Sequence, residues 1–192
     1  MGRILNETSQ ESLTAFLNNL PKVDQVGASA RAAMLGTRSI KTSPKAEAIN
    51  LAISMIDLTT LEGSDTPGKI KSLAAKAVHP DLNDPKTPHV GAICVYNDMV
   101  KIARTELDLI GGKNIPVAAV STAFPSGRAS LKVKIQDTQD AIEDGANEID
   151  MVIDRGAFLS GNYKLVYDEI ETIKRVCGEK RSEEHTSELQ SH

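Results

Sequence analysis

Tryptophan is absent from this 192-residue chain, and three tyrosines and three phenylalanines are its whole aromatic complement. Binding single-stranded nucleic acid takes aromatic platforms beside a basic groove. Here acidic and basic residues are mixed, the net charge is −4, and no Lys/Arg block occurs, so nucleic-acid partners are not expected. No apolar run approaches the ~20 residues that a membrane-spanning helix needs. Residues 1–10 hold no apolar stretch of signal-peptide length. Cysteine is scarce too. Cys94 lies in an apolar run and Cys177 near a helix end, which makes neither a disulfide framework nor metal-ligand spacing. His79 and His89 have no metal-ligand companions and read as surface residues. These absences predict a cytoplasmic protein with reduced thiols, no metal, no cofactor and no membrane association.

What is present is a regular alternation of strand and helix patterns. Thr8-Ser9-Gln10-Glu11 looks like a capping box, followed by Leu13, Phe16, Leu17 and Leu20 at helical spacing and stopped by Pro21. A second helix is expected from Ala28 to Leu35, its alanine-rich face used for packing, and Pro44 opens a third. Strands are expected at Ala52–Leu58, Val90–Tyr96, Ile115–Ser121 and Asn147–Asp154. Helices follow each, with inner faces marked by Ile70, Leu73, Ala74, Ala77 and Val78; by Met99, Ala103, Leu107 and Ile110; by Leu131, Ile135, Thr138 and Ile142; and by Val166, Ile170, Ile173 and Cys177. Each unit is ~30 residues, the size of a βαβ repeat. No Gly-rich dinucleotide fingerprint follows any strand, and Gly111-Gly112-Lys113 lacks P-loop spacing. The pattern therefore predicts an α/β protein with a partial TIM (β/α)8 barrel. It would have about four βα units on 51–180 and a helical extension on 1–50. Asp57, Thr59, Tyr96, Asn97, Thr122 and Asp154 would gather at strand C-termini, where barrel active sites lie.

The fourth strand carries the main chemical signal. Ile149, Met151 and Ile153 fall on one face, and Glu148, Asp150, Val152 and Asp154 on the other. A parallel strand covered on both sides is normally apolar on both, and an ionised group taken from water costs several kcal/mol unless paired. Asp150 thus needs a partner, a water-filled cavity or a chemical task. An inward Lys or Arg that merely holds the interior together is the bland alternative.

Four stretches together resemble the deoxyribose-phosphate aldolase family of class I aldolases, which have TIM-barrel folds. They are Met55-Ile56-Asp57-Leu58-Thr59-Thr60-Leu61, Ala92-Ile93-Cys94-Val95-Tyr96, Phe124-Pro125-Ser126-Gly127, and the run from Asp144 to Ile153. The resemblance implies reversible cleavage of 2-deoxy-D-ribose 5-phosphate, a small phosphorylated sugar, to acetaldehyde and D-glyceraldehyde 3-phosphate. A lysine Schiff base carries that reaction, with no metal or cofactor. It assigns Asp150 as the proton-relaying carboxylate and places Asp57, Thr59 and Cys94 on the pocket wall. Asp57 either orients the network of Asp150 or satisfies strand-end donors. Thr59 either binds substrate or caps its loop. Cys94 reads as a small wall residue rather than a nucleophile.

The resemblance also exposes a shortfall. An eight-unit barrel needs ~250 residues, and the family's Schiff-base lysine, second lysine and phosphate-binding loops lie beyond the part matched here. No lysine of this chain sits mid-strand in an apolar run, so the chain alone is expected to be inactive. Residues 181–192 carry no strand pattern where a fifth strand is due. They look like an in-frame translation of a sequencing-library adapter, and a non-native tail is expected there. The competing reading is a non-catalytic half-barrel binding or assembly module, a homo-oligomer joined through the open edges beside strands one and four.

Overall fold

The computed structural model describes residues 7–178 and the backbone of residues 182–185. Three helices come first, α1 (Gln10–Asn18), α2 (Gln25–Gly36) and α3 (Thr42–Ser54). Strands β1 (Asp57–Thr59), β2 (Ala92–Tyr96), β3 (Val117–Ser121) and β4 (Glu148–Met151) then alternate with helices. These are α4 (Pro67–Val78), α5 (Val100–Leu109) and α6 (Leu131–Glu143), with α7 (Arg155–Leu159) and α8 (Tyr163–Cys177) after β4. The strands are parallel and lie in chain order, which is the winding of a β/α barrel.

The sheet has two unlike faces, set by the two-residue period of its strands. One face presents Leu58, Ile93, Val95, Val117, Ala119, Ile149 and Met151 to the helices, and these join Ile70, Ala74, Val100, Ala103, Leu107 and Ile173 in the main core. Burying an Ile or Leu completely is worth ~1.5–3 kcal/mol, so this helix-covered side supplies most of the stability. The other face carries small residues, Cys94, Ala118 and Val120, shielded by Leu61, Tyr96 and Phe124.

Several expectations need correction. Residues 52–54 belong to the last turn of α3, so β1 has three residues rather than the seven of Ala52–Leu58. The Ala/Ile/Leu run after Pro44 satisfies a helix as readily as a strand, and helix wins because its hydrogen bonds are local. The alanine-rich face of α2 is not used for core packing, since α2 and α3 contain no buried residue. In α1 the cap is Ser9, whose hydroxyl accepts Ser12 N at 3.2 Å, one residue later than expected. A fifth strand, β5 (Ser182–His185), pairs in parallel with β4, although no strand pattern marks that segment. The outer edge of β4 offers unpaired N–H and C=O groups, and backbone pairing there asks little of side-chain pattern. The rest of the 181–192 tail lies outside the described residues.

The inner face of α6 also departs from its apolar spacing. Its buried positions are Lys134, Thr138 and Ala141, while Leu131 is exposed and Ile135 and Ile142 are half-buried. Lys134 is fully buried because its ammonium meets Glu169 of α8 at 2.7 Å. A buried pair roughly balances its own desolvation, but a lone survivor is costly. Glu169→Leu is therefore expected to destabilise the chain by ~3–5 kcal/mol, and the double variant Lys134→Met/Glu169→Leu by much less. Urea unfolding of the two variants checks this, and equal losses would contradict it.

Candidate active site

The register of the four strands decides which side chains share the inner face. Asp57 pairs with Ala92 and Thr59 with Cys94; Cys94 pairs with Ala118; Val120 pairs with Asp150. Because pairing residues point to the same side, Asp57, Thr59, Cys94 and Asp150 all look into the concave side of the sheet. Ile149 and Met151, either side of Asp150, are fully buried against the helices. One strand thus separates a carboxylate from the core by a single residue step.

Asp150 is buried, at 8% exposure, and Cys94 at 4%. The Cys94 thiol donates to Asp150 Oδ2 at 3.5 Å. Burial pushes the Cys94 thiol far above its ordinary range, reinforced by the charge of Asp150, the hydrogen bond to it, and the charge of Asp57; a hydrogen bond with Thr59 acts the other way. All four residues therefore meet in one electrostatic neighbourhood. At neutral pH Cys94 is a thiol and a donor, not a thiolate. Asp57 and Thr59 lie on the exposed β1, where the Thr59 hydroxyl donates to Asp57 O at 2.9 Å.

The loop after β3 walls this space. Thr122 and Ala123 adopt left-handed backbone, with φ of 61° and 64°. A β-branched residue there is strained, and the buried Thr122 hydroxyl supplies the compensation. It accepts Val152 N at 2.7 Å, and its single proton faces two carbonyls, Ser121 O and Val152 O, each at 2.7 Å. The ends of β3 and β4 are stitched together by that one group. Gly127, at φ 69°, lies so close to Ile153 O that a Cβ would clash with it. Between these points Phe124 sets its ring edge-on to Tyr96, with centroids 6.0 Å apart.

The other residues expected at the strand ends do different things. Asn97 turns toward α6, donating from Nδ2 to Asp137 O at 2.5 Å and to Asp137 Oδ1 at 2.8 Å. Asp137 also accepts Ser121 Oγ at 3.3 Å and Ala123 N at 3.4 Å. It fastens the ends of β2 and β3 and was not legible beforehand, because it sits among ordinary polar helix residues. Asp154 caps α7 by accepting Ala157 N at 2.9 Å. Among the described residues no group of three or more His, Cys, Asp or Glu is placed to hold a metal ion. The inward positions of β1 to β4 contain no lysine, and Lys134 lies among the helices on the other side of the sheet.

A half-wound parallel β/α barrel with a buried acid on its concave face is the class of protein that this geometry defines. The sequence then places it: a profile for DeoC/LacD family aldolases matches residues 51–181, and the chain belongs to that family. The human deoxyribose-phosphate aldolase is 40% identical over 150 residues, covering 74% of this chain and 47% of that protein. The mouse enzyme matches to the same extent. Among solved structures, the aldolase QR15 superposes with a TM-score of 0.55 at 27% identity, over 65% of this chain and 50% of that one. The deoxyribose phosphate aldolase of Aeropyrum pernix, described as a tetramer, shares the fold at a TM-score of 0.51 and 21% identity, over 67% and 50%. The chain spans about half the length of the curated relatives it matches.

The raised thiol value has a consequence for stability. A group held neutral by the fold contributes fully below its unfolded value, and that contribution is lost as pH rises above it. Unfolded thiols ionise near pH ~8.5, so stability is expected to fall with pH above that point while native Cys94 stays protonated. Cys94→Ala should flatten this slope. Denaturant midpoints from pH 7 to 10 give the comparison, and parallel profiles would refute it.

Proposed function

We propose that the chain carries the proton-handling half of a deoxyribose-phosphate aldolase. The reaction is the reversible cleavage of 2-deoxy-D-ribose 5-phosphate to acetaldehyde and D-glyceraldehyde 3-phosphate through a lysine Schiff base. The observation behind this reading is the buried Asp150 carboxylate on the face away from the helices, in hydrogen-bond contact with Cys94. Family membership and the 40% identity to the human enzyme support this choice of substrate.

In this scheme Asp150 takes up and returns the proton on the carbon next to the substrate's imine carbon, as a general base and then a general acid. The Cys94 thiol holds Oδ2 of that carboxylate and contributes a small, uncharged wall. Asp57 and Thr59 line the entrance and meet the hydroxyls of the sugar. The Tyr96–Phe124 pair and the Thr122–Gly127 loop close one side of the pocket against water. Phosphate contacts and the imine-forming amine come from outside this chain. We read residues 1–50 as a helical extension, 51–180 as the partial barrel and 181–192 as a non-native tail. We place the reaction in cytoplasmic carbohydrate and deoxyribonucleotide breakdown.

An imine needs an inward amine, and among the described residues the inward positions of β1 to β4 supply none. The chain alone is expected to show no turnover of deoxyribose 5-phosphate and to trap no adduct under borohydride. Joined in one polypeptide to the segment that follows the matched region in the human enzyme, it should trap the imine. In that fusion Asp150→Asn should lower kcat by ~10²–10⁴-fold, the usual scale for losing a general acid–base. Mass spectrometry of the trapped protein and a coupled aldehyde assay decide it. Turnover by the unfused chain, or an Asp150→Asn fusion of full activity, would overturn the reading.

A further inference from the structure

The aromatic wall of the concave pocket hangs on one residue of α6. Asn97 Nδ2 donates to Asp137 Oδ1 at 2.8 Å and to the Asp137 carbonyl at 2.5 Å. The other carboxylate oxygen, Oδ2, accepts Ser121 Oγ at 3.3 Å and Ala123 N at 3.4 Å. One half-buried side chain thus holds the chain just after β2 and just after β3. Thr138 backs the same corner, its hydroxyl 2.9 Å from Ser121 Oγ and donating to Lys134 O at 2.9 Å. A carboxylate can accept from all three groups at once, whereas an amide offers a single acceptor atom.

The two outer points of that grip adjoin the two rings of the wall. Asn97 follows Tyr96, and Ala123 precedes Phe124. The rings meet edge-on, and both pack on the inward patch of Cys94, Ala118 and Val120. Ala123 is where this wall is set. Its left-handed backbone, at φ 64°, is unfavourable for a residue with a Cβ and persists only where the surroundings hold it. Thr122 supplies its own compensation through its hydroxyl, but alanine has no polar side chain to do so. The Ala123 carbonyl accepts Ser126 N at 3.1 Å and Gly127 N at 3.0 Å, which closes the loop on itself. Its N–H is tied to the rest of the fold by Asp137.

We propose that Asp137 is a positioning residue: through Asn97 and Ala123 it sets the Tyr96–Phe124 wall, and through that wall the affinity for substrate. It touches no reacting atom. A wall that substrate and transition state meet equally governs KM and leaves kcat nearly alone. The inference rests on the functional reading above, and the test separates the two.

The first readout is nuclear magnetic resonance of the chain itself with ring-labelled Phe and Tyr. The Tyr96–Phe124 NOE should be present in the parent chain and lost in Asp137→Asn. Phe158 and Tyr163, a ring pair on α7 and α8 with centroids 5.3 Å apart, should keep theirs in both. Should Asp137→Asn fail to fold by far-UV circular dichroism, Asn97→Ala, which removes only the Nδ2 contacts, decides by the same two NOEs. The second readout is kinetic. In the fusion with the human segment, the variant should raise KM about tenfold and leave kcat within about threefold, with imine trapping intact. In the variant that folds, survival of the Tyr96–Phe124 NOE, loss of both ring pairs together, or an unchanged KM would sink the proposal. If the parent fusion traps no imine, the functional reading fails while the ring pairs still decide what holds the wall. If the parent fusion traps an imine and the variant alters neither ring pair nor KM, only this inference falls.

Discussion

A charged side chain on a parallel strand must sit on whichever face the helices leave uncovered. That constraint organises this molecule. Ile149 and Met151 commit β4 to the helix-packed core, and the pleat then turns Asp150 the other way with no freedom to choose. The same parity carries across the sheet through the parallel register, so fixing one strand fixes the inward set on the others. Asp57, Thr59 and Cys94 join Asp150 because their strands bury Leu58, Ile93 and Val95 on the opposite side.

Around that arrangement the loops are held by single polar groups. The Thr122 hydroxyl binds β3 to β4, and the Asp137 carboxylate binds the ends of β2 and β3 to α6. Both are short-range devices placed where the strands stop. Gly127 follows the same logic, with no side chain where the loop crosses the chain leaving β4. The Lys134–Glu169 pair performs a comparable task on the outer layer, fixing how α6 lies on α8.

The N-terminal extension follows different rules. Its first helix packs on α8 through Leu13, and Gln10 bridges to the turn before that helix, donating to Gly161 O at 2.5 Å and accepting Lys164 N at 2.9 Å. Yet α2 and α3 bury nothing. The segment is tied at one end to α8 and runs at the other into β1, and its second and third helices add no buried residue to the core.

Much of this was legible in advance, and the division has a physical cause. Strand parity and helix spacing are local, and they foretold β2 to β4, the helices α4, α5, α6 and α8, and that Asp150 faces away from Ile149 and Met151; the short α7, and the end of β4 at Met151 rather than Asp154, were not foreseen. The length of β1 was not legible, because an apolar run such as residues 51–56 suits either helix or strand until its neighbours compete for it. Nor was the burial of Lys134, since an ammonium goes inside only where another helix brings a carboxylate, and Glu169 lies 35 residues away in sequence. The contact between Cys94 and Asp150 likewise spans 56 residues. Periodicity fixes which way a side chain faces along its own element; which atoms it meets is decided by how the elements pack, and only the folded chain contains that information.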